Sequence, residues 1–220
     1  MRRNMGDDRR PGCTALAALL LGDALFIANA GDCRAVLCRG GRALPLSRDH
    51  TADLPGERAR ILSVKGRLVY RIDSWRVGDA GLQVTRSIGD GDVKPHGVIA
   101  APELRALRLG PSDAFLLLAS DGVWDVIAPE EAVGLVLDTV KQPEMAAKRL
   151  VTEALARGSG DNVTAVVAFL QPVATLERIF GAGAATRAAT RTHFGSRGVF
   201  GGAAAAAGLG ASVDEMRDGY

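Results

Sequence analysis

Apolar residues near the start of the chain fall into three short runs, at 15–21, 24–30 and 34–38. Turn-forming residues follow each run: Gly22 with Asp23, Gly31 with Asp32, then Arg39, Gly40 and Gly41. Runs of this length between such turns predict an antiparallel meander of strands. The period then changes. Pro55 and Glu57 precede Ala59, Ile61, Leu62 and Val64, which predicts an amphipathic helix stopping at Gly66. The polar, glycine-containing stretch at 70–81 predicts an exposed loop or flap.

Beyond a strand at 115–119, Pro129, Glu130 and Glu131 suit the first turn of a helix whose apolar positions are Val133, Val136, Leu137 and Val140. A second helix starts near Pro143, with a stripe of Ala147, Leu150, Val151, Ala154 and Leu155, and Gly158 ends it. A last strand runs from Val163 to Leu170. Strands, then helices, then a closing strand predict α+β layers rather than a parallel doubly wound sheet. Residues 181–212 are rich in Ala, Gly and Arg, of low complexity, and unable to build a packed core. Everything from 176 onward is therefore expected to be linker or disordered tail, and His193 within it receives no role.

Composition narrows the class. The 220 residues, 47% hydrophobic and 24% charged, suffice for one domain with a real core. The net charge of +2 comes from 27 basic and 25 acidic residues that are interspersed, which argues against nucleic acid or an acidic membrane as partner. Cys13, Cys33 and Cys38 form no CxxC pair and read as reduced, small apolar residues of a cytoplasmic or nuclear protein. Arginines, an apolar run and an A-x-A triplet within residues 1–30 mimic a secretion signal, but Gly22 and Asp23 split the run into a hairpin. No stretch is long enough to span a bilayer.

Two aspartates suggest chemistry. Asp121 in FLLLASDGVWD and Asp161 in ARGSGDNVTAVVAFL sit where apolar residues meet a turn, so their carboxylates stand at the rim of the core, where oxygen ligands can converge on a hard cation. The plain alternative for each is an Asx-turn or helix cap. Asp125 is on the same side as Asp121 if that turn is helical, and could equally cap the helix at Pro129. Asp32 reads as ligand or turn-former alike. Arg86 and Asp90, in TRSIGD, either hold the flap or approach phosphate, with an internal salt bridge an equal alternative. His50 reads as a structural hydrogen-bonding histidine, and Trp75 and Trp124 as core or flap packing.

Six ordered strings, GCTALAALL, ANAGDCRAVL, LSRDH, LQVTRSIGD, LLLASDGVWDV and GSGDNVTAVV, resemble successive motifs of the metal-dependent protein phosphatases of the protein phosphatase 2C (PPM) type. The segments 75–95 and 137–162 further resemble the phosphatase module of green-lineage proteins that also carry cyclic-nucleotide-binding and kinase domains. The resemblance implies a four-layer α-β-β-α sandwich, two antiparallel sheets flanked by helices. It implies hydrolysis of phosphoserine and phosphothreonine in proteins by water activated between two Mn²⁺ or Mg²⁺ ions. By motif, Asp121 and Asp161 match the family's carboxylates on the first metal, and Asp125 with Asp32 matches a third, weaker position. Phosphoproteins are the implied partners, kinases among them.

The family's Asp-Gly-His-Gly-Gly segment does not occur in the sequence, and Asp7 and Asp8 lack its context, so no catalytic residue is assigned. The expected organisation is an unmatched segment at 1–11, the C-terminal portion of a phosphatase domain at 12–175 and the tail at 176–220, with the sandwich incomplete on its N-terminal side. A serine/threonine phosphatase, of which this chain is a part, is the favoured reading. The alternatives are a catalytically inactive, phosphatase-like binding module for a kinase or phosphoprotein, and a metal-binding domain without phosphate chemistry.

Overall fold

In the computed structural model, the described residues are 11–72 and 74–181. They form the strands β1 (Gly12–Cys13), β2 (Ala15–Leu21), β3 (Ala24–Ala30), β4 (Arg34–Arg39) and β5 (Arg42–Pro45), then helix α1 (Pro55–Ser63). Next come β6 (Leu68–Arg71), β7 (Ser74–Val77), β8 (Ile88–Gly89), β9 (Glu103–Arg108) and β10 (Asp113–Ala119). The helices α2 (Asp121–Trp124), α3 (Pro129–Leu137) and α4 (Ala146–Ala156) precede β11 (Ala165–Phe169), and a fifth helix, α5, covers 173–181. Both α1 and α3 begin with proline, whose fixed φ suits a first helical turn and whose missing N–H is not needed there.

Two antiparallel sheets stack, one ordered β11-β10-β4-β5 and the other β2-β3-β9. Alternation along β4 and β10 makes the layers. Ala35, Leu37 and Leu116 face the other sheet, where Leu25 and Ile27 meet them. Val36, Cys38, Phe115 and Leu117 face the opposite way, onto Val133 and Val136 of α3 and Leu150 and Ala154 of α4. The outward face of the second sheet exposes Leu19, Phe26 and Leu104.

The expected meander is incorrect at its third strand. The hairpin of β2 and β3 forms, but the free edge of β3 pairs with β9, and β4 crosses to the other sheet between β10 and β5. Consecutive buried residues explain this: Ala35, Val36, Leu37 and Cys38 are all 0% exposed, the signature of a central strand covered on both faces. Gly31, at φ 132, and Asp32 carry the chain across. The loop expected at 70–81 is also partly wrong, because β6 and β7 pair there as a hairpin. Tyr70 and Trp75 pack edge to face at 5.3 Å, and the Arg58 guanidinium lies 4.6 Å from the Trp75 ring centre.

The segment assigned to tail from 176 begins in ordered helix. Leu176 on α5 is 1% exposed and belongs to the core with Phe115, Leu137 and Leu150. A single leucine in a short run carries little periodicity, which is why the segment resembled linker; the tail beyond 181, including His193, lies outside the described residues. Leu176→Ala is expected to cost about 2–5 kcal/mol, the range for truncating a buried leucine, read as a shift of the urea midpoint at constant slope.

Candidate metal centre

The sheet-to-sheet crossing and the ends of β10 and β11 deliver acidic side chains to one place. Asp32 lies in the turn from β3 to β4, Asp121 opens α2 directly after β10, and Asp161 sits in the loop before β11. Asp125 follows one helical turn after Asp121, its N–H donating to the Asp121 carbonyl at 2.9 Å. That helical turn puts Asp121 and Asp125 on one side; the cap position before Pro129 is Ala128, so Asp125 does not cap α3. Asp32, Asp121, Asp125 and Asp161 line one cavity of about 150 Å³, together with Asp49 and Asp53.

The carboxylates crowd each other electrostatically. Burial, and then the negative charge of Asp121, push the Asp32 carboxyl up to about 6. Burial and the charge of Asp161 raise Asp121, and burial and the charge of Asp121 raise Asp125. Arg34 is the cation that tempers the field at Asp125. Arg34 donates to both Asp49 oxygens, at 2.6 and 2.7 Å, and its guanidinium lies 5.9 Å from the Trp124 ring centre. Trp124 is buried, and its indole N–H donates to the Ala119 carbonyl at 2.9 Å, which ties α2 to the end of β10.

An all-oxygen, negatively charged donor set suits Mg²⁺ or Mn²⁺. Its arrangement is an open rim: among the described residues, no group of three or more His, Cys, Asp or Glu side chains is placed to hold a metal ion. Asp121 and Asp161 each accept a hydrogen bond from the N–H of the next residue, Gly122 and Asn162, which turns one oxygen of each toward its own backbone. Gly122 is tightly placed here, since a Cβ would lie 2.5 Å from the Asn162 carbonyl oxygen. The two aspartate loops are therefore packed backbone to backbone.

Beside the acidic cavity, a larger cleft of about 450 Å³ shares Asp32 and Asp121 and adds Asp90 and Arg76. Arg76, on β7, is half-buried and is the one cation among the described residues lining this cleft. Arg86 is elsewhere. Its guanidinium binds Glu57, at 2.8 Å, and the Ala101 carbonyl, at 3.0 Å, so the internal salt bridge weighed for it is the arrangement found, and it lines neither cavity. Asp90 does reach the cleft, with Gly12 of β1 packed against its carboxylate. Sequence reasoning passed over Asp49 and Arg76. Asp49 stood in LSRDH beside His50, and the hairpin that presents Arg76 was expected to be loop.

Comparison with known proteins follows the same lines. A family model described as protein phosphatase 2C matches residues 1–163. Protein kinase and PP2C-like domain-containing proteins of Arabidopsis thaliana and Oryza sativa subsp. japonica are both 55% identical, over 173 and 170 residues, covering 79% and 77% of this chain and 26% of each relative. "Probable protein phosphatase 2C 59" of Arabidopsis thaliana is 46% identical over 167 residues, 76% of this chain and 52% of its own length. The chain thus spans 26% to 52% of the length of these relatives. Among solved structures, a serine-threonine phosphatase 2C from Toxoplasma gondii aligns with a TM-score of 0.67 and 27% identity over 72% of this chain and 58% of that one. A C. elegans sex determining protein aligns with a TM-score of 0.72 and 26% identity, covering 77% and 43%.

Proposed function

The chain belongs to the protein phosphatase 2C family, whose members are metal-dependent protein serine/threonine phosphatases, and from that premise we propose that its acidic cavity is the metal-binding half of a phosphoserine/phosphothreonine phosphatase site. The observation that carries the reading is the convergence of Asp32, Asp121, Asp125 and Asp161 on one cavity, where burial and neighbouring carboxylates raise the carboxyls of Asp32, Asp121 and Asp125. Repelling carboxylates at the rim of a core destabilise the fold by themselves, and a divalent cation relieves that repulsion. Asp121 and Asp161 hold the first ion in this reading, and Asp125 with Asp32 a third, weaker one. Bound divalent ions of this kind lower the pKa of water and neutralise phosphoryl oxygens.

The chain's own residues provide the rest of the substrate side. The cleft with Arg76 opens beside the carboxylates, so an anionic phosphoryl group seated between them meets a guanidinium on the flap hairpin. The relatives that join a kinase to a PP2C-like domain support a kinase-made phosphoprotein as substrate.

Binding of a phosphothreonine peptide to the full chain, followed by calorimetry with and without Mn²⁺ and alongside an assay for released phosphate, tests this. Mn²⁺ is expected to tighten binding, and Arg76→Ala to weaken it about tenfold or more, the worth of one charge-assisted hydrogen bond. Peptide affinity indifferent to Mn²⁺ overturns the reading, and Mn²⁺-dependent binding without phosphate release moves the chain to the inactive binding module.

A further inference from the structure

Among the described residues, three side-chain polar atoms shut away from solvent lack a hydrogen-bond partner: Asn29 Oδ1, His50 Nε2 and Glu103 Oε2. They belong together. Asn29 and Glu103 are register partners on β3 and β9, so their side chains stand side by side on one face. His50 Nε2 lies 3.4 Å from Glu103 Oε2 without closing a hydrogen bond. Asn29 and His50 are 0% and 1% exposed. Buried polar atoms in folded proteins are satisfied by protein or by ordered water, so three orphans from three elements need a common partner.

The proton count identifies that partner. The Gly31 N–H donates to His50 Nδ1 at 3.2 Å, which makes Nδ1 the acceptor nitrogen and leaves the ring hydrogen on Nε2. The place therefore offers one N–H donor and two oxygen acceptors. A single water satisfies all three, accepting from Nε2–H and donating once to each oxygen. A metal cation does not suit it, because Nε2 has no lone pair free. The second Glu103 oxygen is already taken by Arg48, whose Nε donates at 3.0 Å.

The same residues grip the peptide next to Asp32. Asn29 Nδ2 donates to the Gly31 carbonyl at 3.1 Å and to the Arg48 carbonyl at 3.0 Å, and the His50 backbone N–H donates to the Gly31 carbonyl at 2.9 Å. Gly31 is thus held at both its N–H and its C=O, at the point where the chain crosses between sheets. We propose that Asn29, His50 and Glu103 enclose one ordered water, and that this bridged triad is a positioning device for the Gly31–Asp32 turn. Its consequence for metal affinity rests on the reading of Asp32 as a ligand; the water and the turn do not.

Crystal structures of the Mn²⁺-free full chain and its His50→Gln variant test the proposal, at a resolution that shows ordered water. The wild-type structure is expected to show a water within hydrogen-bonding distance of all three atoms. In His50→Gln, whose amide reaches the Nε2 position and leaves no acceptor where Nδ1 stood, the turn is expected to shift while β3 and β9 stay paired. His50→Asn, whose Oδ1 can still accept from Gly31, is expected to restore it, and stands in where His50→Gln does not fold. A direct His50–Glu103 bond with no water overturns the first half; a turn unmoved in His50→Gln, or displaced equally in His50→Asn, overturns the second. Calorimetry separates the metal reading: His50→Gln and Asp32→Asn are each expected to weaken the weakest Mn²⁺ site about tenfold. A turn that moves with no change of Mn²⁺ affinity in either variant sinks the assignment of Asp32 and leaves the positioning device standing.

Discussion

Asp121→Asn is expected to weaken the tightest Mn²⁺ binding by about a hundredfold or more, beyond the 10–100-fold range for losing a residue that only orients a ligand. The metal-free variant is expected to be no less stable than the parent, with a Tm unchanged or raised by up to about 3 °C. Both halves come from the same geometry. Asp121 stands between Asp161 and Asp125 in the electrostatic order, since its charge raises Asp32 and Asp125 while Asp161 raises it. Removing that charge with an isosteric amide relieves repulsion on two neighbours and keeps the 2.9 Å acceptor for Gly122 N–H if the amide oxygen takes that position. A carboxylate placed for folding alone would show the reverse, lost stability and unchanged affinity. Calorimetric Mn²⁺ titration together with thermal unfolding of the metal-free proteins distinguishes the two, and an unchanged affinity would remove Asp121 from the ligand set.

This trade between stability and binding also explains which residues could be read from sequence. Asp121 and Asp161 each follow or precede a strand within a few residues, so a local pattern of apolar run and turn was enough to place them at the rim of the core. Asp125 followed from helical spacing once Asp121 was placed. Asp49 enters the cavity through a loop held by Arg34, fifteen residues away on another element, and no local period announces such a return. Arg86 shows the same limit from the other side. Its partner Glu57 lies on α1, 29 residues upstream, so the motif TRSIGD alone left flap, phosphate and salt bridge open. The strand β4 is different, because its signal was present. Four consecutive buried residues are not a half-buried meander strand, and reading Ala35 to Cys38 for alternation rather than for turns would have placed it between two layers. The second sheet's outward face shows the layer count the same way: Leu19, Phe26 and Leu104 alternate with Leu25 and Ile27, so both faces of that sheet are apolar, while α2, α3, α4 and α5 pack on the other sheet and α1 packs with Val77 and Val93.

Glu57→Gln is expected to destabilise the fold by about 3–5 kcal/mol, at a distance from the acidic cavity, because it leaves guanidinium groups in a buried site without their counter-charge. Glu57 is 5% exposed, and its oxygens accept from Arg60 at 2.6 and 2.7 Å, from Arg86 at 2.8 Å and from the Thr85 hydroxyl at 2.6 Å. Burial by itself would raise its carboxyl, and the hydrogen bonds from Arg60, Arg86 and Thr85 outweigh it, holding the group down at about 2 against an ordinary 4.5. A depressed carboxylate stabilises the fold fully above its unfolded value and loses that stabilisation as pH falls, here from about 4.5 toward about 2. A shift of this size corresponds to about 3 kcal/mol, in line with the cost of breaking a buried pair. The gap in unfolding free energy between the parent and Glu57→Gln is therefore expected to be full at neutral pH and to narrow toward about pH 3. A gap that stays constant with pH would mean that the glutamate contributes shape and not charge. The arginines explain why the effect spreads: Arg60 also donates to the Thr85 and Gly97 carbonyls and Arg86 to the Ala101 carbonyl, so one carboxylate joins α1 to the chain on both sides of β8. Thr85 and Arg86, which that carboxylate holds, stand in the chain between Val84 and Ser87 of the cleft containing Arg76, and none of the node lines the acidic cavity, so loosening it is expected to weaken phosphopeptide binding while leaving Mn²⁺ affinity at Asp121 intact.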